Sequence, residues 1–134
     1  MSAFAFDKTG LTSIKTCLDA LIAKCGELAS HYKSAGDNGA DCAAVLEQES
    51  SALTEWRDSC ARAINGTARH EVTKESLHDW LSNLQEMLDS TTGLVIMFGM
   101  DPDLPETVQT QWEGLAGEFE KLDALVRSER ELYR

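Results

Sequence analysis

The stretch Leu11-Thr-Ser-Ile-Lys-Thr-Cys-Leu-Asp-Ala-Leu-Ile-Ala-Lys-Cys-Gly-Glu-Leu28 decides the fold. Its residues Leu11, Ile14, Leu18, Leu21, Cys25 and Leu28, continued by Tyr32, recur at alternating steps of three and four. An α-helix turns once every 3.6 residues, so this spacing gathers them into a stripe along one face. Three further series follow the same rule. One runs Cys42, Leu46, Glu49, Leu53, Trp56, Cys60 and Ala63, the next Leu77, Leu81, Leu84, Leu88, Thr91, Val95 and Phe98. The last runs Val108, Trp112, Leu115, Phe119, Leu122, Val126, Glu129 and Tyr133. No segment shows the period of two that a half-buried strand requires.

The gaps between these stripes carry helix-ending and helix-starting residues. Gly36 and Gly39 bracket Asp37-Asn38, and Asn65-Gly66 closes the second stripe. Thr73 is an N-cap for the third, with Val72 and Leu77 placed as a hydrophobic staple. Asp103 and Glu106 in Asp-Pro-Asp-Leu-Pro-Glu form a capping-box-like start for the fourth. Gly93 interrupts the third stripe and marks a kink, a close helix contact or an earlier end. Long helices of matched length joined by short links pack antiparallel. The expected fold is an all-α, up-down-up-down four-helix bundle, with helices at 8–35, 40–65, 73–98 and 104–133 in one domain spanning 1–134.

Charge narrows the partners. Twelve basic against 23 acidic residues give a formal net charge of −11, a surface that repels phosphate backbones and anionic lipid headgroups. Nucleic acid and membrane are therefore excluded as expected partners, and no apolar run reaches the roughly 18 residues of a membrane span. The start, Met-Ser-Ala-Phe-Ala-Phe-Asp-Lys8, has neither a basic leader nor a long apolar stretch, so a cytoplasmic setting is expected.

Candidate chemistry is sparse. Cys17, Cys25, Cys42 and Cys60 lack the short paired spacings of zinc or redox motifs and read as reduced thiols. A turn centred near residue 37 brings Cys17 level with Cys60, a geometry compatible with a disulfide under oxidation. Glu75-Ser-Leu-His78 matches the Glu-x-x-His element of di-iron bundles, but such a site needs two copies and this chain has one, which reads as an exposed pair. His31 lies near the C-terminal end of the first helix and His70 in a loop. No phosphate loop, nucleophile elbow or metalloprotease helix is present. The expectation is a chain that is not an enzyme, with no catalytic residues, no metal and no cofactor.

Glu49 and Glu129 break otherwise apolar seams, and a buried carboxylate must be paired, protonated or exposed. Glu129 is expected to reach water at a frayed helix end, and Glu49 to find a cation such as Lys24 or to reach the bundle edge. Glu49 with Cys25, Cys42 and Cys60 forms a candidate core polar site. Glu106, Glu113 and Glu120 repeat every seven residues beside the fourth seam, and Glu47, Glu55 and Asp58 line the outer side of the second helix. These six are the candidate partner-binding residues. Trp80 and the cluster Leu94-Val-Ile-Met-Phe98 add apolar surface that either widens the core or supports a homodimer.

Gln111-Trp-Glu-Gly-Leu-Ala-Gly-Glu-Phe119 resembles the Trp-x-Gly segment of a family of small helical secreted proteins. That likeness implies a break between two helices at Trp112, whereas the seam here continues through it, so no membership is read from it. The function expected from charge and size is that of a small acidic, noncatalytic protein-binding domain, such as an immunity protein, chaperone or adaptor docking a basic partner. The alternative is a bundle that binds a metal or small ligand in its core.

Overall fold

The computed structural model describes residues 7–34, 40–65, 73–99 and 104–133, with the side chains of 40, 65, 92 and 94–99 outside the description. Its four helices are α1 (Lys8–Ser34), α2 (Ala40–Asn65), α3 (Lys74–Gly99) and α4 (Glu106–Leu132). Each lies within two residues of the boundaries that the apolar periodicity predicts, and no strand occurs among the described residues. Helix α1 packs against both α2 and α4, and α3 packs against α4. The arrangement is an all-α four-helix bundle.

Its core is the set of stripes. Leu11, Ile14, Leu18, Leu21 and Leu28 of α1 meet Leu46 and Leu53 of α2, Leu77, Leu81, Leu84 and Leu88 of α3, and Leu115, Phe119 and Leu122 of α4. All eight seam positions of α4, from Val108 to Tyr133, are buried. Each fully buried Leu or Phe contributes about 1.5–3 kcal/mol relative to exposure. No isolated helix retains that gain, because in water its stripe has nothing to cover it. On α2 the buried seam begins at Ala43, and Cys42, one residue earlier, is half-buried.

The α2–α3 pair is the loosest of the neighbouring contacts. Trp56 and Trp80 fill that seam edge to face, with ring centroids 5.3 Å apart. The α1–α4 pair is instead tied at both ends. Trp112 Nε1 donates to the Tyr32 hydroxyl at 2.9 Å, and the Asp7 backbone N–H donates to the Tyr133 hydroxyl, also at 2.9 Å.

The helix starts differ in chemistry. Asp7 caps α1, its Oδ1 accepting from the Gly10 N–H at 3.0 Å. Thr73 caps α3 as expected: its Oγ1 accepts from the Ser76 N–H while the Ser76 hydroxyl accepts from the Thr73 N–H, a reciprocal box with serine in place of glutamate. Helix α4 begins after Pro105, which makes no side-chain cap, so Glu106 is the first helical residue rather than the third turn position of an Asp103 cap. Asp103, Val72, His70 and the loop glycines lie outside the described residues. Helix α3 continues through Gly93, which neither ends it nor touches a neighbouring helix.

Two substitutions test this packing by chemical denaturation. Leu84→Ala removes a side chain with no exposure and is expected to cost about 2–5 kcal/mol. Gly93→Ala places a methyl group in open space on a helix interior and is expected to gain about 0.4–1 kcal/mol.

Candidate functional site

The six carboxylates of the two acidic strips are all exposed. On α2, Glu47 is ion-paired with Lys33 of α1, and Asp58 is held by Arg57, which also reaches Asp19. Glu55 of α2 and Glu106, Glu113 and Glu120 of α4 make no ion pair among the described residues. The structure does not join the strips into one surface. Helices α2 and α4 each pack on α1 and not on one another, so their outer faces look away from each other across the bundle. On α4 the three glutamates stand about 10 Å apart along one face.

The proposed core polar set is also divided. Cys25 and Glu49 are neighbours, since the Glu49 charge helps to push the Cys25 thiol up to about 12, after the larger effect of burial. Glu49 is half-buried, and its Oε2 accepts from the Thr91 hydroxyl of α3 at 3.2 Å, so its partner is that hydroxyl and not Lys24. Cys60 sits at the far end of α1, where its Sγ donates to the Leu11 carbonyl at 3.2 Å. Leu11 and Cys25 are about 20 Å apart along the helix, so Cys60 cannot share a ligand with Cys25 and Glu49. Among the described residues no group of three or more His, Cys, Asp or Glu side chains is placed to hold a metal ion.

None of the four cysteines forms a disulfide. The level register of Cys17 and Cys60 does not aim them at each other. Cys17 Sγ turns to α4 and donates to the Glu118 carbonyl at 3.4 Å, while Cys60 faces Leu11, Leu77 and Trp80. Burial pushes both thiols up to about 12, with the Glu118 carboxylate adding to the effect at Cys17. Thiols so reluctant to ionise are poor nucleophiles. Trp80, expected either in the core or on a dimer surface, packs against the core with Trp56, and the Leu94–Phe98 side chains lie outside the described residues.

The most unusual arrangement joins the start of α1 to the end of α4. Glu129 is only 6% exposed, which corrects the expectation of a frayed end. Its carboxyl lies beside that of Asp7, both against Gly10, and burial followed by the neighbouring Asp7 carboxyl raises it to about 7. Asp7 moves the other way: the Gly10 N–H, then Glu129, hold it below the usual carboxylate range. Of the two carboxyls, Glu129 is therefore the one that keeps its proton to higher pH. Gly10 makes the contact possible, because a methyl group there would overlap the Glu129 carboxyl and Asp7 Oδ2. Tyr133 joins this group to an open cleft of about 540 Å³ lined by Lys74, Glu75, His78 and Asp79 of α3 and Arg130 of α4. His78 and Glu75 thus flank a surface cleft of mixed charge.

A second buried polar group hides between α3 and α4. Gln85 is 4% exposed and donates through Nε2 to Asp89 and Asp123, both of which are ion-paired to Arg127. It sits next to Leu84 on the seam, where the wide apolar stripe of α3 admits one flanking position to the interior.

Thiol reactivity checks this burial. With an alkylating reagent at mildly alkaline pH, Cys42, the half-buried cysteine, is expected to react first. Cys17, Cys25 and Cys60 are expected to react only on unfolding, as followed by peptide mass spectrometry. The chain matches no protein-family model, and no curated protein or solved structure is significantly similar to it.

Proposed function

We propose that this chain is a noncatalytic protein-binding bundle that docks a basic partner, in the manner of an immunity protein, chaperone or adaptor. The observation that supports this reading is the outer face of α4, where Glu106, Glu113 and Glu120 stand exposed and without ion pairs among the described residues. Glu47 and Asp58 on α2 are already engaged by Lys33 and Arg57, so a partner gains less by approaching them. Exposed carboxylates in a row raise the local concentration of a cationic protein and orient it, an effect that acts mainly on the association rate and weakens with salt. Among the described residues the exposed large hydrophobic side chain is Leu132, at the opposite end of α4 from Glu106, so little apolar surface accompanies the three glutamates. The proposed contact is therefore electrostatic and wet at its rim.

No helix among the described residues is long and apolar enough to cross a membrane. A cytoplasmic location is proposed on the same footing, because a reducing compartment suits a bundle whose cysteines form no disulfide.

Charge reversal separates the two strips. The wild-type chain, the triple variant Glu106→Lys/Glu113→Lys/Glu120→Lys, and Glu55→Lys are used as baits in native lysate at low and at moderate salt. A basic protein retained by the wild type and by Glu55→Lys, lost from the α4 variant and released by salt, is the expected outcome. Equal capture by the α4 variant, or capture indifferent to salt, contradicts the proposal.

A further inference from the structure

The bundle contains two neighbouring carboxyl groups, Asp7 and Glu129, packed against Gly10, and Glu129 is buried. Two carboxylates so placed repel one another when both are ionised, and a proton on one of them relieves that repulsion. The geometry makes this proton structural. Asp7 is the N-cap of α1, and its backbone N–H reaches the Tyr133 hydroxyl at the end of α4. Glu129 is packed against Gly10, and its Oε2 is buried with no hydrogen-bond partner among the described residues. An ionised Glu129 would thus hold a buried oxygen without a hydrogen-bond donor in the neighbourhood of the Asp7 carboxylate.

We propose that the Asp7–Glu129 pair is a proton-operated clasp that joins the start of α1 to the end of α4 and opens when the shared proton is lost. The step is a proton transfer from the Glu129 carboxyl to solvent, with no bond between heavy atoms made or broken. Repulsion then drives the Glu129 side chain out of the Gly10 notch toward water and weakens the Asp7 contact to Tyr133. The surrounding charges leave the pair without a compensating cation. From α1 the group facing Glu129 is Asp7; from α3, Lys74, Glu75, His78 and Asp79 line the cleft beyond Tyr133, with Arg130 of α4. Near that end of α2, Arg62 is exposed and bonds Ser59. Asp7 alone among these charges acts on Glu129.

The sign of the effect follows from linkage. Glu129 is raised from an ordinary value of 4.5 to about 7, so the folded state holds the proton more tightly than the unfolded chain. Its contribution is full below the ordinary value and is lost as pH rises through about 7. Asp7, held low, contributes in the opposite direction, and that part is lost only in acid. The clasp is therefore closed in mildly acidic solution and open in mildly alkaline solution.

The test is carried out on the full chain. Titration of the Glu129 carboxyl carbon by nuclear magnetic resonance is expected to show a midpoint near 7, and hydrogen-exchange protection of the Gly10 and Leu11 amides is expected to fall across the same range. Glu129→Gln keeps a donor toward Asp7 but cannot ionise, so the decline in melting temperature expected of the wild type between pH 6 and pH 8 should be lost in the variant. Gly10→Ala, which fills the notch, should melt lower at pH 6 and also lose the pH dependence. A Glu129 midpoint in the ordinary glutamate range, or an equal decline in wild type and Glu129→Gln, overturns the proposal. The wild-type titration needs no variant, so a Glu129→Gln chain that fails to fold leaves the proposal falsifiable.

Discussion

Each of the four helices carries one apolar stripe, and the only surface that can cover it is the stripes of the other three. Everything else in the structure depends on that mutual covering. The helices are long, and their individual propensities are diluted by glycine, serine and threonine, so they are stable because they are packed. Helix α1 carries the greatest share. It lies between α2 and α4, contributes Leu11, Ile14, Leu18, Leu21 and Leu28 to the interior, and is pinned to α4 at both ends through Tyr32 and Asp7.

That arrangement also dictates where charge can go. The seams consume the inward faces, so the excess of carboxylates is spread over the outside, and the antiparallel order places the strips of α2 and α4 on opposite sides of α1. The ion pairs of Lys33 with Glu47 and of Arg57 with Asp19 and Asp58 cluster where α1 and α2 meet, whereas Glu106, Glu113 and Glu120 of α4 have no such pair among the described residues. Exposed ion pairs of this kind add little to stability. Their consequence here is the uneven distribution of net charge.

The helices were legible in the sequence because a repeat of three and four survives whatever the helix packs against, and because Gly, Asn, Asp, Pro and Thr mark its ends. Glu129 was legible as a departure from an apolar seam, but its fate was not. Its partner Asp7 precedes the first stripe, and Tyr133, to which Asp7 also bonds, lies 126 positions further along the chain. Only the register of α1 against α4 brings them together, and local periodicity carries no information about that register. The pairing of Glu49 with Thr91 was hidden for the same reason, since it depends on α2 against α3. The turn near residue 37 does fix the register of α1 against α2, and Cys60 beside Leu11 agrees with it. Side-chain direction still separated Cys17 from Cys60, because level residues on neighbouring helices can face different seams. Gln85 was not legible, because a polar residue beside a leucine seam reads as surface until the width of the buried face is known.

The α1–α4 register underlies the placement of every group described at the ends of the bundle, and nuclear Overhauser contacts between the two helices test it most directly. The expected result is proximity of the Trp112 indole to the Tyr32 ring at one end and of the Asp7 amide to the Tyr133 ring at the other, in the same molecule. Contacts displaced by a helical turn, or either pair without the other, would contradict it.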